Sequence, residues 1–412
     1  MSENGRYAPT PVQISSSSRA RWLDRAHIGL LLLIIVPIFT LTARWGIDAN
    51  ADTKATALPA WQLVQKQTLE LAGLEAVINE DPEAIGRWYV SAADHELVSN
   101  RPPGLILLGI PSYLLFGRTE FSNGPASGVA VLTTTLAMIV CWWLVAPLVG
   151  RRFASLAVLV LAFGTTTWWI SSSELWPHGP GQLAAALAVL SASSGKYAAS
   201  GSWFGFAVLL RPITAVSAAV MGTVEALRRR QIRPLILIAV TSGTAVGVLL
   251  MYNRWLFGAW SIRGGYPAEL RLGRLSWTGY MSNLYEMLLG LPNGVLTTSP
   301  IVAVAVLGAV IAWKEIPAWA KSAAVAGAAY LLVHAALNRA SGGMPFFYRY
   351  PLEALVLATP LLVMGARALW ERAFGWVVVV AAAVVSVALQ VFHALYASCY
   401  FTDPVVWFCV AA

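Results

Sequence analysis

Long apolar stretches recur along this chain from Ile28 almost to its last residues. A helix rising about 1.5 Å per residue needs about 20 apolar residues to cross a hydrocarbon core of roughly 30 Å. Many of the stretches reach or approach that length. The composition agrees: 58% of the 412 residues are hydrophobic and only 12% are charged, against about 25% charged in a typical soluble domain. Backbone polar groups in lipid must be satisfied internally, so helices or closed barrels are the spanning structures available. The alternation of a membrane β-barrel is absent. The expected fold is therefore an all-α polytopic membrane protein.

Basic residues orient it. Arg19, Arg21 and Arg25 precede the first apolar run, Ile28–Ala43, and place the N-terminus in the cytoplasm. No small-x-small cleavage site follows, so the run reads as a retained signal-anchor. Residues 1–27, with a Ser- and Pro-rich start, are expected to be a disordered cytoplasmic segment. Residues 45–125 then form a first external loop that holds most of the acids. Leu58, Trp61, Leu63, Val64, Leu69 and Leu71 lie among Gln and Lys there, as in an interfacial helix. Leu105–Phe116 is short for a crossing and is expected to lie along the outer leaflet.

Later spans follow at 126–149, 153–170, 179–192, 235–252, 295–313, 319–337, 352–369 and 376–395. The stretch Trp203–Leu227 is broken at Arg211-Pro212 and is expected to be a hairpin of two short helices. This makes about eleven transmembrane helices in a domain covering 28–395, followed by an external tail, 396–412. Cys141 lies in an apolar run and reads as a small hydrophobe. Cys399 and Cys409 flank an external segment where a disulfide can form.

The formal net charge is +8, but the basic residues sit between spans, where orientation signals and anionic-lipid contacts belong. Nucleic acid is not an expected partner. Arg87, Arg101, Arg254, Arg263, Arg271, Arg274, Arg339 and Arg349 remain on the expected outer side, against the orientation rule. Planar guanidiniums suit phosphate oxygens. Ion pairing with the loop acids is the alternative.

Two places in the first loop can carry chemistry. Asp48 and Asp52 lie just beyond the first span, where a carboxylate can take the proton of an attacking hydroxyl. Alternatively, Asp52 caps a helix beginning near Thr53. In Ser99-Asn100-Arg101-Pro102-Pro103-Gly104, two prolines present Arg101 rigidly as the chain returns to the membrane. There it can clamp a lipid phosphate, or the segment is simply a turn.

Together these residues carry a resemblance. One span, a loop opening with Asp and LPAWQL…TLEL, and then LVSNRPPGLILLGIPSYLLFG resemble the bacterial GT-C membrane glycosyltransferases, the superfamily of aminoarabinose lipid A transferase and the protein mannosyltransferases. FGTTTWWISSSELWPHG, LLRPITAV, YNRWLFGAWSIRGGYP, LPNGVLTTSP and SGGMPFFYRYPLEAL resemble later segments in the same order, each loosely. The resemblance implies a GT-C fold with juxtamembrane helices in the first loop. It also implies transfer of a monosaccharide from a polyprenyl-phosphate donor to an envelope glycan or glycolipid on the outer face of the cytoplasmic membrane, generally with inversion. The family aspartate falls on Asp52, with Asp48 the second match. The family Lys-Pro-Pro phosphate contact falls on Arg101-Pro102-Pro103, with arginine in place of lysine.

Arg254, Arg263 and Arg349 are further candidates for the donor phosphate. Glu174, His178, Tyr266 and Tyr350 are candidates for substrate binding, against capping, packing and aromatic-belt roles. No metal motif is present, although Asp48, Asp52 and Glu174 can be imagined sharing a divalent ion; no cofactor is expected. A P-loop, a dinucleotide fingerprint and an Asp-x-Asp motif are also absent. A transporter or flippase of lipid-linked sugars is the alternative function, but no internal repeat and no midplane charges point to it. An oligosaccharide ligase would normally carry its large loop late in the chain.

Overall fold

A computed structural model describes residues 18–46, 50–78, 84–92, 94–266, 276–338, 340 and 348–401. Asp48, Arg271, Arg274, Arg339, Cys409 and residues 1–17 lie outside these, as does the side chain of Cys399.

The chain is mainly helical. α1 (Ser18–Thr42) leads to a polar-loop region with α2 (Ala51–Lys66), the single turn α3 (Glu75–Ile78), a two-stranded hairpin β1 (Tyr89–Ala92) and β2 (His95–Ser99), and α4 (Pro103–Phe116). The rest is α5 (Gly124–Val149), α6 (Arg151–Phe163), a π-helical turn at Thr167–Ser171, α7 (His178–Ser193), α8 (Tyr197–Leu210), α9 (Ala215–Arg229), α10 (Arg233–Phe257), α11 (Trp277–Leu288), α12 (Val295–Thr298), α13 (Pro300–Ile311), α14 (Ala318–Leu337), α15 (Leu352–Trp370) and α16 (Gly375–Phe401).

Among the described residues, six helices are long and apolar enough to cross a membrane: α1, α5, α10, α14, α15 and α16. The protein is a multi-pass membrane protein. α6, α7, α8, α9 and α13 occupy the places of the remaining expected spans but are shorter. The expected hairpin is present. Gly201 on α8 and Gly222 on α9 both lie against Ile238 of α10, so the chain reverses at Arg211, which adopts an extended conformation before the turn Pro212–Thr214.

The main core joins α1, α5, α6, α7, α8, α9, α14 and α15 around Phe39, Trp142, Phe163, Phe204 and Leu361. A second cluster fills the polar-loop region, with Leu58, Trp61, Tyr89, Val98, Leu105 and Tyr113. Two features differ from expectation. First, α2 is buried all round from Asp52 to Gln62; it packs under α4 and the hairpin instead of lying on a surface with one face exposed. Second, the loop contains strands. Tyr89 and Val98 are buried while Ser91 is exposed; the pairing slips between Val90 and Ala92, so the burial does not alternate with the period of two that marks a strand in a sequence. Gly104 sets the approach of α4 to α8, since a Cβ there would lie 2.7 Å from the backbone of Leu209.

Candidate functional site

Asp52 stands in the first turn of α2, and the cap position belongs to Asn50, whose Oδ1 accepts from Asp52 N at 2.9 Å. Capping therefore does not use the Asp52 carboxylate. One of its oxygens meets the Arg101 guanidinium, and the other accepts from Arg349 Nη1 at 3.1 Å. Burial alone would push this carboxyl up, but Arg101 and then Arg349 more than offset that and hold it below its ordinary value. It is ionised at neutral pH.

Arg101 is fixed from several sides. Ser99 donates to Ala55 O at 2.5 Å and accepts from Arg101 N at 3.2 Å, tying the end of β2 to the helix that carries Asp52. Asn100 donates to Arg87 O at 2.7 Å, and the Arg101 guanidinium lies 4.3 Å from the Trp88 ring. Its Nη1 donates to Tyr266 Oη at 2.9 Å. Pro102 is extended, Pro103 opens α4, and the expected turn is therefore also the mount for the cation.

Arg349 comes from the other end of the chain, just before α15, and lies over Trp176 at 4.8 Å. A desolvated cation on an aromatic face gains about 2 kcal/mol. The Nε atoms of Arg101 and Arg349 are buried without a hydrogen-bond partner. In a folded protein such donors normally have one.

A second group adjoins this one. His178 at the start of α7 is hydrogen-bonded through Nδ1 to both Glu353 oxygens, at 3.0 and 3.2 Å, and its buried Nε2 has no partner. Arg211, from the α8–α9 turn, stands 3.7 Å from Glu353. Tyr350 links the two groups: the Arg211 and Arg349 guanidiniums lie 5.0 and 5.3 Å from its ring, and His334 stacks on it at 4.6 Å.

Among the expected residues, the fold gathers Asp52, Arg101, Arg349, Tyr266, Tyr350 and His178. Glu174 stands behind them. It accepts from Asn50 N at 3.0 Å and from Thr53 Oγ1, and it pairs with Arg44 at 3.0 Å. It thus holds the first turn of α2 and does not face Asp52. Arg254 is exposed and donates to Gly258 O at the end of its own helix, at 2.9 Å; Arg263 is exposed as well. Neither joins the group. Arg211, Trp88 and Trp176 were not singled out individually as donor or substrate contacts. For Arg211 a signal was visible, an arginine in the middle of an apolar stretch. Among the described residues, no group of three or more His, Cys, Asp or Glu is arranged to hold a metal ion.

No family model and no curated protein matches this sequence. Solved structures do match it, and they are GT-C enzymes. The chain is similar to ArnT, the aminoarabinose lipid A transferase, from Cupriavidus metallidurans in the apo state, with 14% identity over 93% of this chain and a TM-score of 0.54. It is similar to the same protein bound to undecaprenyl phosphate, with 14% identity, 92% coverage and a TM-score of 0.51. It is also similar to the archaeal oligosaccharyltransferase AglB from Archaeoglobus fulgidus, in complex with an inhibitory peptide and a dolichol-phosphate, with 11% identity, 94% coverage and a TM-score of 0.55. The chain spans 65% of the ArnT chain and 59% of the AglB chain. The likeness is one of fold: this is a multi-pass membrane protein with the GT-C architecture.

Proposed function

We propose that the protein transfers a monosaccharide from a polyprenyl-phosphate donor to an envelope glycan or glycolipid. The reaction would take place on the outer face of the cytoplasmic membrane, in a domain that crosses it about eleven times. The observation that carries this reading is the buried Asp52 carboxylate held between Arg101 and Arg349. Support also comes from two of the similar structures, ArnT with undecaprenyl phosphate bound and AglB with a dolichol-phosphate bound.

In this reading the donor phosphate docks on the Arg101 and Arg349 forks, whose free Nε donors supply contacts that Asp52 leaves unmade. Asp52 takes the proton of the acceptor hydroxyl as that oxygen attacks the anomeric carbon from the face opposite the phosphate, with inversion. The bond from the anomeric carbon to the phosphate oxygen breaks, and its electron pair leaves with the phosphate. Guanidiniums placed where charge develops stabilise that departure without a general acid. Asp52 is a weak base while both its oxygens are paired. Phosphate drawing the guanidiniums towards itself strengthens it, so the donor binds before the base acts.

Tyr266, Tyr350 and His178 line the same region and are assigned to sugar or acceptor contacts, while Glu174 positions α2. The test is transfer of label from a radiolabelled polyprenyl-phosphate sugar to envelope lipid extract by purified protein. Asp52→Asn should bind donor lipid and give no labelled product. Full transfer in that variant would remove the assignment.

A further inference from the structure

Arg211 has no part in the scheme above, yet its surroundings are unusual for a structural arginine. It sits where α8 turns into α9, two apolar helices, at a site where charge is costly and is generally kept for function. Glu353, its nearest carboxylate, is hydrogen-bonded through both oxygens by His178. Arg211 itself stands 3.7 Å from that carboxylate, beyond hydrogen-bond length, and its Nη1 lies 3.3 Å from His178 Nδ1. Its side chain is 18% exposed, against 8% for Arg101 and 10% for Arg349. Its side chain is thus the most exposed of the three.

Its place is also defined relative to the others. Arg211 and Arg349 lie on the same Tyr350 ring, each about 5 Å from its centroid, so they are at most about 10 Å apart. Arg211 also acts electrostatically on Asp52.

The charges of the group point the same way. Among the described residues in contact here, three guanidiniums face two carboxylates, Asp52 and Glu353, and the neighbouring Arg44–Glu174 pair is neutral by itself. One positive charge is left over in a buried place, where an uncompensated charge is expensive. A phosphodiester such as a polyprenyl-phosphate sugar carries one negative charge and balances it. When the anomeric bond breaks, the leaving phosphate becomes a monoester with a second negative charge. In the same step Asp52 gains the acceptor proton and loses its own charge. With the three guanidiniums and both carboxylates counted, the total stays balanced before and after.

We infer that Arg211 is a third phosphate-binding cation of this site, held in place by Glu353 and His178, and that it takes the charge appearing on the departing lipid phosphate. This deepens the proposed function and rests on it.

The test uses purified full-length protein in lipid nanodiscs, titrated with undecaprenyl phosphate as the probe. Arg211→Gln should weaken binding about tenfold or more, the equivalent of one charge-assisted hydrogen bond. Arg211→Lys, which keeps the charge but loses the fork, should fall between Gln and wild type. Arg118→Gln, a change on the exposed turn after α4, should bind as wild type does. This ordering is the readout, because a merely structural role would lower thermal stability without grading affinity by charge and fork. If Arg211→Gln does not fold, Arg211→Lys carries the test, and intact affinity in it overturns the inference. If Arg101→Ala is weakened while the Arg211 variants bind like wild type, the inference falls and the proposed function stands. If wild type does not bind the probe, both fall.

Discussion

Two of the buried carboxylate–arginine groups among the described residues are built differently. Glu225, near the end of α9, accepts from Tyr197 at 2.8 Å, from Arg228 at 3.0 and 2.5 Å and from Arg229 at 3.2 Å. Both arginines lie within four residues of it, and no side-chain atom of these four residues is among the buried atoms lacking a partner. Asp52, by contrast, takes its arginines from 49 and 297 residues along the chain, and their Nε atoms are left without partners. The first group is closed and local, a staple at a helix end where cations also meet the helix dipole favourably. The second is open, and it brings distant segments together around more cation than anion. Unfinished hydrogen bonding among buried cations marks a place built for something else to occupy.

The sharpest way to break this contrast is at the carboxylates. Asp52→Asn should lower the transfer rate by about 10²- to 10⁴-fold, the usual worth of a general base, as initial rates with labelled donor would show. Glu225→Gln should leave that rate within about twofold and lower only the melting temperature, by a few degrees.

Next come the cations. Arg101→Ala or Arg349→Ala should each weaken donor-lipid binding by about 10- to 100-fold, corresponding to roughly 1.5–3 kcal/mol for a hydrogen bond to a charged group. Arg228→Gln should leave binding unchanged, and equal losses in both groups would erase the distinction between them.

A smaller effect concerns pH. The Asp52 carboxyl is held below its ordinary value in the folded protein, so it contributes stability that is complete above its unfolded pKa of about 3.9. That contribution is lost as pH falls through the depressed folded value. Thermal melts from pH 6 down to pH 2 should therefore steepen less in Asp52→Asn than in wild type. Identical acid limbs would show that the arginines do not hold the carboxylate in solution.

Some of the site was legible in the chain because local chemistry announces it. Asp52 follows the first span and Arg101 is pinned by Pro102 and Pro103, and the fold brings the two side chains together. The break at Arg211-Pro212 was readable too, since proline ends helices and disfavours helix in the residue before it. What Arg211 does there was not, because its partners come from α7 and α15. Glu174 and His178, four residues apart, look like neighbours on one helix face, yet the chain between them is irregular at Leu175–Pro177 and sends them to different partners. Arg254 and Arg263 looked like equals of Arg349, since sequence counts cations on a side but does not say which ones turn inward. The cap reading of Asp52 failed because Asn50, two residues earlier, serves the same purpose and frees the carboxylate.

The most direct measurement is a cryo-electron microscopy structure of the protein in nanodiscs with undecaprenyl phosphate. Phosphate density within hydrogen-bond distance of the Arg101 and Arg349 guanidiniums, with Arg349 drawn off the Asp52 carboxylate, is the expected result. Phosphate bound elsewhere, with both arginines still closed on Asp52, would contradict the assignment of this group as the donor site.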